Sequence, residues 1–226
     1  MNYYILAAKE DVGCPVSLVE LAVLHDKYYE PKVAQKLEHG LVYPWYARNK
    51  KGVRAIGDNA VLIVKCKFVD FDIRRLISKI FIVSENFVAL MAKVDLKFQD
   101  IREISLTSKL GKNISNKKYF AAIFMNSNIF DCNLYINKNF SNLEKDYRNL
   151  MYFKNIFIES VGLPDLFSFS NMNPTQDFLF CTEKFKLAGE LGGIKGIEWK
   201  LSNEINWPNN PLRESLLNPI AMLHPI

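Results

Sequence analysis

One stretch, residues 178–199, constrains the fold most, because it has the pattern of a strand, a helix and a second strand in close succession. An apolar run ends at residue 181, and Thr182 follows as a residue whose hydroxyl can accept a hydrogen bond from the first turn of a helix. Glu183 places negative charge at the positive end of that helix, and Gly192-Gly193 can supply its left-handed end. A second strand is predicted from residue 194 to 199.

The predicted helix has an apolar stripe at helical spacing. Phe185, Ala188 and Leu191 recur on one face, with Leu187 beside them. We expect this stripe to face the core.

Residues 79–104 repeat the same order of elements. An apolar strand is followed by Ser84 as the cap and by Glu85, then by a helix and another strand. The two stretches are only slightly similar in sequence, so an internal duplication is a hypothesis. It predicts that residues 79–104 superpose on residues 177–202.

These patterns predict an α+β fold with mostly antiparallel sheets and a few short helices, built from two related strand-helix-strand halves. The polar stretch 105–118 is the best candidate for a boundary or an exposed loop. We therefore place an N-terminal half at 1–107 and a C-terminal half at 108–226, which could also form a single domain.

Three local expectations complete the predicted fold. A capping box predicts a helix from Leu18 to Tyr29, with a strand as the alternative because apolar residues also alternate there. Residues 119–125 and 129–136 read as two strands of a hairpin joined by a polar turn. A short helix is expected at 143–150.

Composition excludes two broad classes of protein. An apolar fraction of 49% indicates a folded chain rather than a disordered one. No apolar run approaches the ~20 residues that cross a bilayer, and the N-terminus lacks the basic leader of a signal peptide. We expect a cytoplasmic protein that does not bind membranes.

The residue types that perform catalysis or bind metal ions are few and scattered. Four cysteines occur without a C-x-x-C pair, and three histidines occur without ligand spacing; these residues are Cys14, Cys66, Cys132, Cys181, His25, His39 and His224. Buried thiols and structural or solvated histidines are the favoured interpretation. We predict no catalytic residue, no cofactor and no metal, although a Cys-His pair assembled in space stays open.

The carboxylates and glycines favour structural roles. Asp70 and Asp72 could bind a divalent cation, but two such carboxylates more often cap a helix, here one beginning near Ile73. Glu85 and Glu183 are expected to support helix starts. The glycines near residue 192 follow a helix instead of opening one, which excludes a dinucleotide-binding loop.

An aromatic cluster is the remaining unusual feature. Tyr43, Trp45 and Tyr46 stand close to Arg48, and Trp207 lies in a later loop. Such residues stack nucleic-acid bases or anchor protein interfaces, and core packing of at least two rings is equally expected. The net charge of +5 permits an acidic partner, but its lysines and arginines are too dispersed to favour nucleic acid.

Residues 156–200 resemble bacterial polymorphic-toxin immunity proteins. The resemblance rests on four segments: Ile156-Phe-Ile158, Asp165-Leu-Phe-Ser-Phe169, Phe178-Leu-Phe-Cys-Thr-Glu-Lys-Phe185 and Leu191-Gly-Gly-Ile-Lys-Gly-Ile-Glu-Trp199. It implies a cytoplasmic, non-enzymatic antidote of interbacterial competition, which binds a cognate toxin domain and occludes its active site. Because the chain is positively charged, we expect a toxin with an acidic or mixed surface rather than a basic nuclease.

Three functions therefore compete. The first is an immunity protein with Tyr43, Trp45, Tyr46, Arg48 and Trp207 as candidate anchors. The second is a basic accessory protein that binds nucleic acid, and the third is an enzyme with a spatially assembled Cys-His or Asp-Asp site. The sequence indicates neither the oligomeric state nor the identity of a toxin.

Overall fold

The computed structural model describes most of the chain. The described residues are 2–16, 21–30, 32–33, 58–77, 80–141, 143–145, 151–153, 155–159, 162–172 and 178–205.

Short strands and three short helices make up this part of the chain. In chain order the strands are β1 (Tyr3–Ala8), β2 (Ala22–His25), β3 (Val61–Val64), β4 (Ile73–Ile77), β5 (Ile80–Ser84), β6 (Phe98–Thr107), β7 (Tyr119–Phe124), β8 (Ile129–Asp131), β9 (Leu143–Lys145), β10 (Met151–Phe153), β11 (Leu166–Ser170), β12 (Leu179–Thr182) and β13 (Ile197–Leu201). The helices are α1 (Glu85–Lys93), α2 (Cys132–Tyr135) and α3 (Glu183–Leu191), with one turn of 3₁₀ helix at Asn126–Asn128.

The strands form two mixed sheets and a small ribbon. The first sheet has the spatial order β2-β3-β6-β7-β5-β4, the second has the order β13-β1-β12-β11-β8, and β9 pairs with β10. Among the described strand pairs, β3–β6 and β8–β11 are parallel and the others are antiparallel. The predicted α+β class, with mostly antiparallel strands, is confirmed.

Each sheet contains one strand-helix-strand unit with a further strand inserted into it. β7 lies between β5 and β6, and β1 lies between β12 and β13, antiparallel to both neighbours in each case. A hairpin strand precedes each unit, since β4 pairs with β5 and β11 pairs with β12. The order β6-β7-β5-β4 in the first sheet thus corresponds to β13-β1-β12-β11 in the second.

The two nine-residue helices begin and end in the same way. Ser84 and Thr182 are their N-caps, each accepting the backbone N–H three residues ahead. Each helix ends with a residue of positive φ, Asp95 (54°) after α1 and Gly193 (64°) after α3. The backbone N–H groups after each helix end bond back to the last turn in the Schellman pattern.

The helices pack against each other in a central cluster between the two sheets. Phe87 of α1 meets Phe185 of α3 with ring centroids 6.2 Å apart. Alternate residues of β5, β7, β1 and β12 face this cluster, and the opposite residues face two outer clusters. Both sheets are therefore covered on both faces, which explains why several strands are apolar throughout.

The predicted apolar stripe of α3 is wrong in part. Phe185 is buried and Ala188 is half-buried, but Leu187 and Leu191 are exposed. Gly189 takes the buried position instead, because a Cβ there would lie 2.8 Å from Cζ2 of Trp199. The helix therefore turns its glycine, rather than its leucines, towards the indole ring.

Other local expectations are corrected by contacts that are distant in sequence. Residues 22–25 form β2, so the strand alternative to the helix at 18–29 is right for that part. The hairpin of 119–125 with 129–136 is wrong, because β8 pairs with β11 of the other sheet and α2 follows at once. The helix expected at 143–150 is contradicted by β9.

Membership of the sheets crosses the predicted boundary between residues 107 and 108. β1 belongs to the second sheet, and β7 belongs to the first. The halves 1–107 and 108–226 stay a prediction about domains. Among the described helices, none is long and apolar enough to span a bilayer.

The paired helix ends give a stability prediction with opposite signs. Gly193→Ala should lower the free energy of unfolding by about 1 kcal/mol, because a side chain disfavours the left-handed region even where space is free. Asp95→Gly should raise it by a few tenths of a kcal/mol to about 1 kcal/mol for the same reason. Urea unfolding measures both, and equal signs would contradict the assignment of the two helix ends.

Candidate partner-binding surface

A buried carboxylate, Asp72, lies where the two strand-helix-strand units meet. One of its oxygens, Oδ1, accepts hydrogen bonds from the Ser84 hydroxyl and from Lys117 Nζ, the latter at 2.9 Å. The other, Oδ2, accepts the backbone N–H of Lys195 at 2.6 Å. The side chain is 0% exposed, so these internal donors take the place of water.

Arg74 follows two residues later and is also buried. Its described hydrogen-bond acceptors are all backbone carbonyl oxygens. They belong to Pro15 (2.7 Å), Ile73 (2.8 Å), Gly196 (2.8 Å), Lys9 (3.0 Å) and Cys14 (3.5 Å). Burial lowers the pKa of Arg74 to about 10, which still leaves the guanidinium charged at neutral pH. Gly196 is required here, since a Cβ would lie 2.9 Å from Nη2.

Asp70 extends this buried network towards the surface. Its carboxylate pairs with Lys117 at 2.8 Å and with Lys195 at 2.5 Å. Partial burial alone raises the pKa of the Asp70 carboxyl, but the hydrogen bonds and charges of the two lysines outweigh it and the pKa is lowered. The Lys195 pKa is raised by the hydrogen bond to Asp70.

The expected role of these two aspartates is therefore wrong. They do not cap a helix near Ile73, because that residue begins β4. Their oxygens accept from lysine, serine and backbone donors, and no group of three potential metal ligands occurs in the described residues. Together with Arg74, the two aspartates join the chain segments 9–15, 70–74, 117 and 195–196.

The thiols and the described histidine lie inside the fold. Cys14, Cys132 and Cys181 are buried, and Cys66 is half-buried. Burial raises the pKa of all four thiols, that of Cys132 to about 11, so they remain protonated at neutral pH. His25 is buried with its ring 5.5 Å from that of Tyr29. His39 and His224 lie outside the described residues.

Three loops converge above the buried network, and we call them the loop surface: residues 9–14, 65–70 and 108–114. The backbone N–H of Asp70 donates to Gly13 O at 2.8 Å, and that of Val69 donates to Ile114 O at 2.9 Å. The Tyr28 ring lies against Gly111 at the margin.

The loop surface exposes apolar side chains. Val12 is 81% exposed, Leu110 is 74% exposed and Phe68 is 40% exposed. The same three loops carry five exposed lysines, against the two exposed acidic residues Glu10 and Asp11. The lysines are Lys9, Lys65, Lys67, Lys109 and Lys112. Exposed apolar residues in lysine-rich loops are typical of a surface that binds an acidic partner.

Comparison with known proteins supplies the family. A sequence model described as Immunity protein 43 matches residues 8–205. The chain belongs to this family. A search of curated proteins found no match.

The resemblance to immunity proteins noted for residues 156–200 is thus confirmed, and the Immunity protein 43 match extends it over both sheets. The anchors predicted from sequence, Tyr43, Trp45, Tyr46, Arg48 and Trp207, lie outside the described residues. The exposed Val12, Phe68 and Leu110 were not predicted as site residues. The one signal for them was the polar stretch around Gly111, which was expected to be an exposed loop.

The buried guanidinium yields a prediction about stability. Arg74→Met should lower the free energy of unfolding by at least about 3 kcal/mol, because several buried carbonyl oxygens lose their donor. Arg74→Lys should also be destabilising by more than about 1 kcal/mol, since an ammonium group has fewer donors in a different geometry. Arg102→Met is the control: its side chain is 46% exposed, so a change within about 0.5 kcal/mol is expected. A variant Arg74→Met as stable as the parent in urea would contradict this role.

Asp70 yields a prediction about pH. Because its pKa is lower in the folded chain, its ionised form adds stability at neutral pH, and this is lost as the pH falls through the folded pKa. Asp70→Asn should therefore be less stable than the parent at pH 7, and the two should converge once the pH has fallen below the folded pKa of Asp70. Urea midpoints across this range measure the effect, and a constant difference would count against it.

Proposed function

We propose that this protein protects its producer by binding a cognate toxin domain and covering the active site of that domain. The match to an immunity protein family over residues 8–205 carries the proposal. The setting that follows is the cytoplasm of a bacterium that uses a polymorphic toxin system in competition with other bacteria. The partner is a protein, and the inhibitor needs no cofactor for this role.

The loop surface is the part of the described molecule best suited to contact the toxin. Its exposed apolar residues can become buried anchors, and its lysines can meet acidic groups around the toxin's active site. A stable inhibitory interface covers about 800 Å² on each partner, more than these loops alone supply. Tyr43, Trp45, Tyr46, Arg48 and Trp207 therefore remain proposed as additional anchors.

The loops are held by the buried network before any partner binds. Arg74 hydrogen-bonds to the carbonyl groups of Lys9 and Cys14, which bracket Val12. The backbone N–H of Asp70 donates to the carbonyl of Gly13, which ties the loop that contains Phe68 to the loop that contains Val12. Preorganised loops lose less conformational entropy on binding, which favours tight inhibition.

The binding prediction introduces negative charge at two exposed apolar positions. The double variant Val12→Glu with Leu110→Glu should weaken binding of the cognate toxin domain by at least about 100-fold, since two apolar contacts are lost and two negative charges are added. Isothermal titration calorimetry with a catalytically inactive form of that domain measures the change. Expression of the active toxin together with each variant should show the matching loss of protection.

Leu134→Glu is the matched control. Leu134 is 77% exposed, but it belongs to α2 on the outer face of the second sheet. It should leave affinity within about threefold of the parent. Equal effects of the two kinds of variant would contradict the assignment of the loop surface, while failure of the parent chain to bind would contradict the function itself.

The exposed lysines are also compatible with nucleic-acid binding. The dependence of affinity on salt concentration distinguishes this hypothesis from toxin binding. Binding to phosphates weakens by orders of magnitude between about 50 and 200 mM salt. Toxin binding through apolar anchors should weaken far less. Steep salt dependence with single-stranded oligonucleotides, and no binding of the toxin domain, would favour the accessory-protein hypothesis.

A further inference from the structure

A cavity of about 240 Å³ lies between the two sheets, away from the loop surface. Phe81 lines it near the start of β5, whereas Ser84, at the other end of β5, contacts Asp72. The cavity and the loop surface therefore lie towards opposite ends of the first sheet.

A notch in the inner face of the second sheet makes room for this cavity. Side chains alternate along a strand, so Ser168 of β11 faces away from Phe167 and Phe169, which pack in the outer cluster. In the register of the sheet, Ser168 lies between Leu179 of β12 and Ile129 of β8. Residues paired across strands share one face of the sheet, so a small side chain stands here between two large ones.

The opposite wall belongs to the first sheet and is aromatic. Phe81 of β5 and Phe124 of β7 are buried, with ring centroids 4.8 Å apart in an edge-to-face arrangement. The volume between this wall and the notch is larger than the voids that well-packed protein interiors leave. A void of this kind lowers stability, because its lining forgoes dispersion contacts that a ligand can supply.

Two polar groups at the rim are engaged within the chain. The Ser170 hydroxyl donates to the carbonyl of Phe130 at 3.2 Å. The Arg75 guanidinium lies over the Phe81 ring, 5.2 Å from its centroid, and Arg75 takes part in a further interaction within the chain. A charged ligand would lose part of its hydration here, and these groups are not free to replace it. The rim therefore favours a neutral ligand.

We propose that this cavity binds a small neutral aromatic molecule. Its ring would pack on the Phe81–Phe124 pair and fill the notch at Ser168, whose hydroxyl can accept one N–H of the ligand. At the packing density of protein interiors, about 240 Å³ holds roughly ten non-hydrogen atoms, which is close to the size of indole. This binding site is separate from the proposed function and does not depend on it.

The test titrates indole into the full chain, with phenylacetate and phenethylammonium as charged analogues of similar size, and follows binding by calorimetry and protein NMR. The parent should bind indole with Kd below about 1 mM and each charged analogue at least about tenfold more weakly. Nuclear Overhauser contacts should join the indole protons to the methyl groups of Leu166 and Leu179, which line the cavity.

A pair of variants ties the affinity to the cavity. Ser168→Leu fills the notch and should weaken indole binding at least about tenfold. Ser105→Leu is the matched control, since it makes the same change at an exposed position of β6 and should leave the affinity for indole unchanged. If Ser168→Leu does not fold, the nuclear Overhauser contacts in the parent decide where indole binds.

Four results would overturn the proposal. The first is the absence of saturable indole binding below about 1 mM in the parent. The second is a charged analogue that binds as tightly as indole. The third is unchanged indole binding in a folded Ser168→Leu variant, or contacts of bound indole with residues outside the cavity. The fourth is weaker toxin affinity in Ser168→Leu without indole binding in the parent, which would make the cavity an anchor pocket for a side chain of the partner protein.

Discussion

The structure depends on one buried cation whose described acceptors are backbone carbonyl groups. The side chain of Arg74 in β4 donates hydrogen bonds to the carbonyl of Lys9, after β1, and to that of Gly196, before β13. Lys9 is 65 residues and Gly196 is 122 residues away from Arg74 in sequence. A buried guanidinium is costly unless its donors are satisfied, so the fold is held to the one arrangement that satisfies them. Asp72 acts in the same region as the acceptor for the Lys195 amide. Together they fasten the second strand-helix-strand unit to the first.

The two units share more than their order of elements. An aspartate precedes the hairpin strand in each, and its side chain accepts the hydroxyl of the helix cap: Asp72 from Ser84, and Asp165 from Thr182 at 2.6 Å. The backbone carbonyl of the same aspartate accepts the N–H of the cap residue in both units. A lysine completes each site, Lys117 in the first and Lys184 in the second. The two aspartates differ in burial, since only Asp72 is covered by residues of the other unit. These repeated details support the duplication hypothesis.

The units could be predicted from sequence because local rules set them. In both units an apolar strand leads into a hydroxyl cap followed by glutamate, and in the second unit a glycine pair ends the helix; these signals lie within a few residues of one another. The buried network could not be predicted, because Arg74 and Gly196 meet only in the folded chain and an isolated Asp-x-Asp reads equally well as a helix cap. The false hairpin has a similar cause. The turn after β7 is as polar as a hairpin turn, but β8 finds its partner in β11 of the other sheet.

The loop surface could not be predicted from sequence, for a different reason. In sequence, Val12 and Phe68 carry no signal of exposure, whereas Leu110 lies in the polar stretch 105–118 that predicts an exposed loop. The folded structure shows that all three side chains face solvent. Under the proposed function this exposure has a role, since an inhibitor needs apolar anchors that a partner can bury. The same surface combines these exposed apolar residues with lysines, and the buried network beneath it keeps the loops in place.

The most direct test of the central claim is amide hydrogen exchange, followed by mass spectrometry, of this protein alone and in complex with a catalytically inactive form of its cognate toxin domain. Exchange slows where a partner covers and orders backbone that opens freely in the isolated protein. We predict that protection on binding is concentrated in residues 9–14, 65–70 and 108–114, with little change in α2. Protection confined to α2 and the outer face of the second sheet, with the three loops unchanged, would contradict it.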